Sequence, residues 1–265
     1  MKENKNMLKG VMVVLFTAIV VAVVLWIIPS LTPVSITQEL KEDRLYSIDR
    51  EGRLISIDPQ TAEYTIVTGL YGQNPVHTSL AFSPDGKLFG YTKTIVGWEL
   101  CVIDVSTGKV KSIGKPNPVL GLLGGLAFDR QGNFYGLGAG ASALYSIDPV
   151  TGDTKLIGET GLDALYYHGL AIDFKTDELY AVIGGTVGLS DKLVHINKTT
   201  GKATVVGLLD VYYPWVGVEF SPVTGELFAV RNGNILMKVN VSTGKATYIG
   251  TMKGIDVAGL AAIWP

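Results

Sequence analysis

Residues 125–158 read GLAFDRQGNFYGLGAGASALYSIDPVTGDTKLIG, and similar segments recur along most of the chain. The segment contains an apolar strand of the form Gly-Leu-Ala-Phe and a later turn of the form Ile-Asp-x-x-Thr-Gly. Self-similarity at a period of roughly 20–50 residues is the signature of a repeat architecture. The fold therefore has to be read from the repeat and not from any single copy.

The strand element occurs five times, with small or apolar residues at nearly every position. Its copies are SLAF at residues 79–82, GLAF at 125–128, GLAI at 169–172, GVEF at 217–220 and GLAA at 259–262. In the middle copies a short turn and a second apolar strand follow. This order predicts that each strand element begins an antiparallel sheet.

The turn element begins at five equivalent positions that lie 43 to 49 residues apart: Asp58, Asp104, Asp148, Asn197 and Asn240. The Asp or Asn side chain can bond the turn backbone, and the closing glycine supplies a left-handed residue. Only the first copy has Ala62 in place of that glycine. Every copy then ends in Val or Ile, or Thr68 in the first, before a further glycine: Gly69, Gly114, Gly158, Gly207 or Gly250.

Four short antiparallel strands in roughly 45 residues, repeated five times, are typical of a β-propeller. The sequence therefore predicts an all-β, five-bladed β-propeller over residues 44–265. The first copy lacks its own Gly-Leu-Ala-Phe strand, whereas the last such strand stands alone at the C-terminal end. We expect residues 259–264 to complete the first blade, which closes the ring and removes an open sheet edge.

The repeats resemble those of secreted bacterial and archaeal β-propellers of the YVTN and NHL-like type. In those proteins, phrases such as LYSIDPVTG, here at residues 144–152, recur beside Gly-Leu-Ala-Phe strands. The resemblance covers residues 44–265, about five-sixths of the chain. Its motifs are structural turns and strands, so it implies the fold and not an activity, since propellers include binding modules and enzymes alike.

An uncharged run at residues 10–28 precedes a linker at residues 29–43. At about 1.5 Å per residue, a helix of this length nearly spans a hydrocarbon core of roughly 30 Å, so we expect one transmembrane helix. The lysines within residues 1–9 place that segment in the cytoplasm by the positive-inside rule, with the propeller outside the cell membrane. A cleaved signal peptide is the alternative, but no Ala-x-Ala site follows the run.

Composition excludes several classes of partner. The formal net charge is −2 and no long basic run exists, so nucleic acid is not an expected partner. Cys101 is the only cysteine, which excludes an intrachain disulfide and a multi-cysteine zinc site. With only three histidines as well, the sequence predicts no metal site and no cofactor.

The strand order sorts the loops onto two faces. Turns within the repeats lie on the bottom face, whereas blade-to-blade connections and the loops between second and third strands lie on the top face. The top loops vary and carry rings that suit a protein, peptide or carbohydrate ligand, because a flat ring gives large contact area at little entropy cost. The candidate ligand-binding residues are His77, Trp98, Tyr166, Tyr167, His168, Tyr212, Tyr213 and Trp215. The alternative is that these side chains close the channel mouth or pack between blades.

Glu219 stands where the other four copies have alanine. A buried acid is costly unless it is paired, so Glu219 is a candidate catalytic acid or a partner of Arg231. The favoured function is a membrane-anchored, extracytoplasmic binding module that uses its membrane-distal top face. The alternatives are a carbohydrate- or lactone-directed hydrolase with Glu219 as its central carboxylate, and a non-catalytic envelope scaffold.

Overall fold

The computed structural model describes residues 42–265 except 73–74, 95–96, 115–122, 139–141, 163–165, 185–189, 211–215 and 258. From Asp43 to Pro265 the described chain forms a unit of 19 β-strands. The predicted anchor at residues 10–28 lies outside the described residues, and among those residues no helix is long and apolar enough to cross a bilayer.

The strands form five antiparallel sheets, the blades, which confirms the predicted all-β, five-bladed propeller. Blade 1 contains β1 to β3, which span Leu45–Ile48, Arg53–Ile57 and Tyr64–Gly69. Blade 2 contains β4 to β7, which span Pro75–Phe82, Leu88–Thr94, Gly97–Ile103 and Val110–Gly114. Blade 3 contains β8 to β11, which span Leu123–Phe128, Phe134–Gly138, Ala143–Ile147 and Thr154–Glu159. Blade 4 contains β12 to β15, which span Tyr166–Ile172, Leu179–Gly184, Lys192–Ile196 and Ala203–Leu208. Blade 5 contains β16 to β19, which span Val216–Phe220, Leu227–Arg231, Ile235–Val239 and Ala246–Thr251.

The C-terminal segment completes blade 1, as the sequence predicts. The N–H of Tyr46 donates to the carbonyl of Ala261 at 2.7 Å, and the N–H of Ala261 donates back at 2.9 Å. Beyond this pair, Trp264 packs against all four apolar core clusters of the propeller. Its indole N–H donates to the carbonyl of Phe82, at the lower end of β4, at 3.0 Å. The segment thus closes the ring and fills its lower end.

One β-bulge recurs in every blade, where the third strand pairs with the fourth. The extra residue of the outer strand packs on the core in each case: Val67, Ile113, Ile157, Val206 and Ile249. A bulge increases the local strand twist and turns one additional side chain inward. The repeated Val or Ile before a glycine is the sequence trace of this bulge.

Blade 1 departs from the predicted alignment by one residue. In blade 2 the glycine after the bulge, Gly114, pairs with the buried Leu100. In blade 1 the residue that pairs with the equivalent Leu54 is Thr68, and Gly69 lies one position further along. The expected equivalence of Gly69 with the other four glycines is therefore wrong.

The closing residue of each Asp or Asn turn is left-handed, with φ between 60° and 79°: Ala62, Gly108, Gly152, Gly201 and Gly244. These residues also lie against the outer strand of the preceding blade. A methyl group on Gly244 would lie 2.6 Å from the carbonyl carbon of Gly207. The backbones of blades 4 and 5 therefore meet directly at this point, which leaves no room for a side chain on Gly244.

We expect Gly244→Ala to lower the free energy of unfolding more than Gly52→Ala. The two glycines have similar φ values of 77° and 74°, at which alanine costs about 1–2 kcal/mol. An added methyl meets nothing within 4 Å at Gly52, whereas at Gly244 it meets the neighbouring blade. The resulting overpacking should lower the free energy of unfolding by about 1–3 kcal/mol more. Equilibrium urea unfolding of both variants measures the difference, and equal losses would contradict the blade contact.

Candidate functional site

The top face is formed by the strand ends at which the blades connect to one another. Much of the connecting chain lies outside the described residues. Tyr212, Tyr213 and Trp215 are among those residues, so their role in ligand binding stays a prediction. What the structure defines at this face is the backbone at the upper ends of the inner strands.

Four candidate residues lie on inner strands and not in the loops to which the sequence assigns them. His77 is in β4, which begins at Pro75, and Tyr166, Tyr167 and His168 are the first residues of β12. Their loop assignment is wrong because both strands extend above the Gly-Leu-Ala-Phe element. Only the backbone of these four residues belongs to the described structure.

The upper ends of three inner strands pair irregularly with their neighbours. The register slips between Val76 and Leu80 in β4, between Leu123 and Gly125 in β8, and between Tyr166 and Gly169 in β12. These three strands pack side by side around the axis. Bulges are frequent beside binding sites, where they redirect side chains. His77 and His168 lie within two of the slips, so the backbone brings both to the upper end of the channel.

Trp98 lies on a hairpin of blade 2 that is longer than its counterparts. Strands β5 and β6 have seven residues each, against four to six for the corresponding strands of the other blades. Trp98 pairs with Lys93 near the tip of this hairpin, and its side chain is half-buried. Because β5 also pairs with β4, one sheet carries both Trp98 and His77 to the top face.

Below this level the channel is too narrow for a ligand. It holds a cavity of about 10 Å³, which is room for about one water molecule. The same position of each inner strand contributes to the wall: Ser79, Gly125, Gly169, Gly217 and Gly259. A ligand the size of a sugar or a peptide would therefore have to lie across the channel mouth.

Glu219 is buried between blade 5 and the C-terminal segment of blade 1, with 6% of its surface exposed. Its carboxyl accepts hydrogen bonds from the N–H of Phe220, at 2.9 Å, and from the N–H of Ala262. Burial raises the pKa of this carboxyl well above its usual range, against the opposing effect of the two amide bonds. Its partners are thus backbone amides and not Arg231, and it is not among the residues that line the channel cavity.

Other acidic groups on the bottom face belong to turns. The carboxylate of Asp129 accepts a hydrogen bond from the Tyr135 hydroxyl at 3.0 Å, and Lys198 lies 3.6 Å from it. Lys198 also pairs with Asp177 of its own blade at 2.6 Å, so its ammonium joins a turn of blade 4 to Asp129 of blade 3. In the part of the chain that the structure describes, no three His, Cys, Asp or Glu side chains converge as metal ligands.

Sequence reasoning missed a groove on the bottom face. It lies between blades 2 and 3 and has a volume of about 370 Å³. The turns of the repeats surround it, and the sequence places no candidate residue among them. One residue in the sequence could have indicated it. Val102 is apolar, whereas the other four blades have a polar residue at the equivalent position of the third strand.

We expect Glu219→Gln to remove part of the pH dependence of stability. The folded state holds the Glu219 proton at pH values where the unfolded chain, with a pKa of about 4.3, has released it. Ionisation thus favours unfolding, and the wild-type protein loses stability as the pH rises above that value. Glutamine keeps an oxygen that accepts the hydrogen bond from the Phe220 N–H, and it carries no charge. The free energy of unfolding of the variant should therefore rise relative to that of the wild type between pH 5 and pH 8.

Urea unfolding at both pH values measures this gain, and each pKa unit of the shift contributes about 1.4 kcal/mol. Glu63→Gln, at an exposed glutamate, is the matched control and should follow the wild type. Parallel stability profiles for Glu219→Gln and the wild type would show that the buried carboxyl is ionised.

No protein-family model and no curated protein matches the chain. Several solved structures are similar to it in fold. One is a chain from a nidogen/laminin complex, with 14% identity and a TM-score of 0.56, covering 82% of this chain and 80% of that one. Proteins of unknown function from Bacteroides thetaiotaomicron and Bacteroides caccae have identities of 16% and 13% and TM-scores of 0.56 and 0.53. Both cover 83% of this chain, and the aligned parts are 57% and 98% of those chains. At these identities the likeness shows the β-propeller fold alone.

Proposed function

We propose that the chain is a membrane-anchored, extracytoplasmic binding module that captures a protein or peptide ligand at the top face of its propeller. The observation that carries the proposal is the contrast between the two ends of the inner strands. Their lower ends keep a common register, whereas the upper ends of β4, β8 and β12 bulge at the same level. Irregular strand ends above a channel that is too narrow for a ligand suit a surface for binding. The neighbour from the nidogen/laminin complex is also a propeller found in a protein complex.

The anchor is residues 10–28, whose length and lack of charge suit one membrane crossing. The described chain enters the propeller at the bottom face, where Asp43 accepts a hydrogen bond from the Ser221 hydroxyl at 2.7 Å. This entry point supports the top face as the membrane-distal one. The linker of residues 29–43 reaches at most about 50 Å when extended, so it biases the orientation without determining it.

The two alternatives receive less support. A hydrolase would need its central acid, Glu219, to reach a substrate. Its carboxyl is instead buried, accepts hydrogen bonds from backbone amides and is absent from the lining of the channel cavity. A scaffold would need large apolar patches on the outer blade edges. The large apolar residues exposed on the outer strands are few: Ile66, Leu156 and Tyr248 in blades 1, 3 and 5, and Val205 with Leu208 in blade 4.

The membrane topology can be tested with introduced cysteines. The thiol of Cys101 is fully buried and donates to the Gly90 carbonyl, and burial raises its pKa to about 12, so the native background should be unreactive. In intact cells a membrane-impermeant maleimide should label Lys155→Cys, on the exposed face of β11. Asn6→Cys should react only after permeabilisation. Labelling in the reverse order would contradict the proposed orientation.

The top face can be tested with a photo-crosslinking amino acid placed at Tyr167 or Trp215 in the full chain. Both positions should give the same protein adduct, and the exposed outer-strand position Tyr248 should not. With the partner purified, the double variant Tyr167→Ala, Trp215→Ala should weaken binding by roughly tenfold or more, because aromatic side chains dominate interface energies. Ile66→Ala with Tyr248→Ala is the matched control. Equal effects of the two double variants would exclude the top face as the binding surface.

A further inference from the structure

The groove between blades 2 and 3 has an aromatic floor. Phe89 and Phe128 line it, with ring centroids 5.2 Å apart, and Phe128 stacks on Phe134 at 4.0 Å. The lip is also apolar, since Val150 is 78% exposed. The volume of about 370 Å³ lies within the usual range of small-molecule sites, roughly 300–1,000 Å³.

The groove is open because one link between neighbouring bottom turns is missing. In blade 3 a guanidinium N–H of Arg130 donates to the Phe174 carbonyl of blade 4 at 2.5 Å. In blade 4 the ammonium of Lys175 donates to the Thr224 carbonyl of blade 5 at 2.8 Å. Blade 2 has Asp85 in the corresponding turn, and its carboxylate is bonded within that turn. Among the described residues, no hydrogen bond joins the turns of blades 2 and 3.

The floor is apolar because blade 2 breaks a pattern that the other blades keep. The second strand of every blade has an aromatic residue at one register position: Tyr46, Phe89, Tyr135, Tyr180 and Phe228. In four blades the residue that pairs with it on the third strand is polar: Ser56, Ser146, His195 and Lys238. In blade 2 the residue is Val102, which lines the groove beside Phe89.

The rim of the groove carries surplus positive charge. Its lining contains one carboxylate, Asp85, and two cations, Lys87 and Arg130. Asp85 is already occupied by Lys87 at 2.6 Å and by the Ser83 hydroxyl at 2.5 Å. Arg130 uses one of its five N–H donors on the Phe174 carbonyl, which leaves donors for an anion.

We propose that this groove is a binding site for a small, flat, apolar molecule that carries one carboxylate. The apolar body lies on the Phe89 and Phe128 rings beside Val102, and the carboxylate faces Lys87 and Arg130. The site is independent of the proposed top-face function, because it lies on the opposite face and shares no lining residue with it. Failure of either proposal leaves the other unaffected.

The test uses the full chain in mild detergent, with its Ile and Val methyl groups labelled with carbon-13 for NMR. Naphthalene-2-carboxylate is the probe, and its ring current should shift the groove methyl groups of Ile113 and Val150 in a saturable manner. The exposed methyl groups of Ile66 and Val205, on the outer strands of blades 1 and 4, are the reference and should not move. Partition of the probe into detergent is the same for every variant, so affinities relative to wild type are preserved.

Val102→Ser should weaken binding of the probe by about tenfold, because it removes apolar contact area from the floor of the groove. Serine occupies the same position in blades 1 and 3, so the fold accommodates it, and unchanged reference methyl signals report that the variant is folded. Lys87→Met should weaken binding of the probe by about threefold, which is the usual effect of removing one exposed ion pair. The neutral naphthalene-2-carboxamide should bind less tightly than the carboxylate.

Three outcomes would overturn the proposal. One is that the groove methyl groups do not shift, or shift no more than the reference groups. The second is an affinity that Val102→Ser leaves unchanged. The third is equal binding of the carboxylate and the carboxamide, which would remove the charge recognition from the site.

Discussion

Neighbouring blades of this propeller are joined by backbone packed directly against backbone, and the ring depends on that contact. At the interface of blades 4 and 5 a methyl on Gly207 would lie 1.9 Å from the Thr243 carbonyl oxygen, and one on Gly244 would meet Gly207. Such a contact favours small residues on both sides, and glycine holds both positions in every blade except blade 1, which has Ala62 and Thr68. The last interface joins Gly250 to Thr61 of blade 1, so the chain has to return to its own start. Residues 259–264 make that return possible.

Much of this fold could be predicted because a repeat shows the same constraint five times. Strand order, turn position and ring closure each follow from a pattern that a single copy would not establish. The errors fall where one copy deviates: Thr68 holds a position that the other blades give to glycine, and β4 and β12 extend into predicted loops. A one-residue offset of this kind is invisible until the bulge is placed, since the bulge itself changes the register.

The candidate sites were less predictable, because they depend on which residues of different blades meet. The Glu219 substitution was visible in the sequence, but its partner Ala262 lies in a segment that reaches it only after the ring closes. Trp264 occurs once and belongs to no repeat, yet it contacts all four core clusters. The groove depends on Val102 and Arg130, which come from adjacent blades. That they line one groove can be recognised only when the strands are aligned by their pairing.

The two proposed sites lie at opposite ends of the propeller, and blade 2 contributes to both. The channel, with room for about one water, offers no route for a ligand between the faces. The β5–β6 hairpin does connect them: Lys93 pairs with Trp98 near the top, and Phe89 pairs with Val102 at the groove. Three residues of continuous ladder separate these pairs along each strand. A shift in the register of this ladder would move every side chain on it together, so the ladder provides one physical path by which a ligand at one site influences the other.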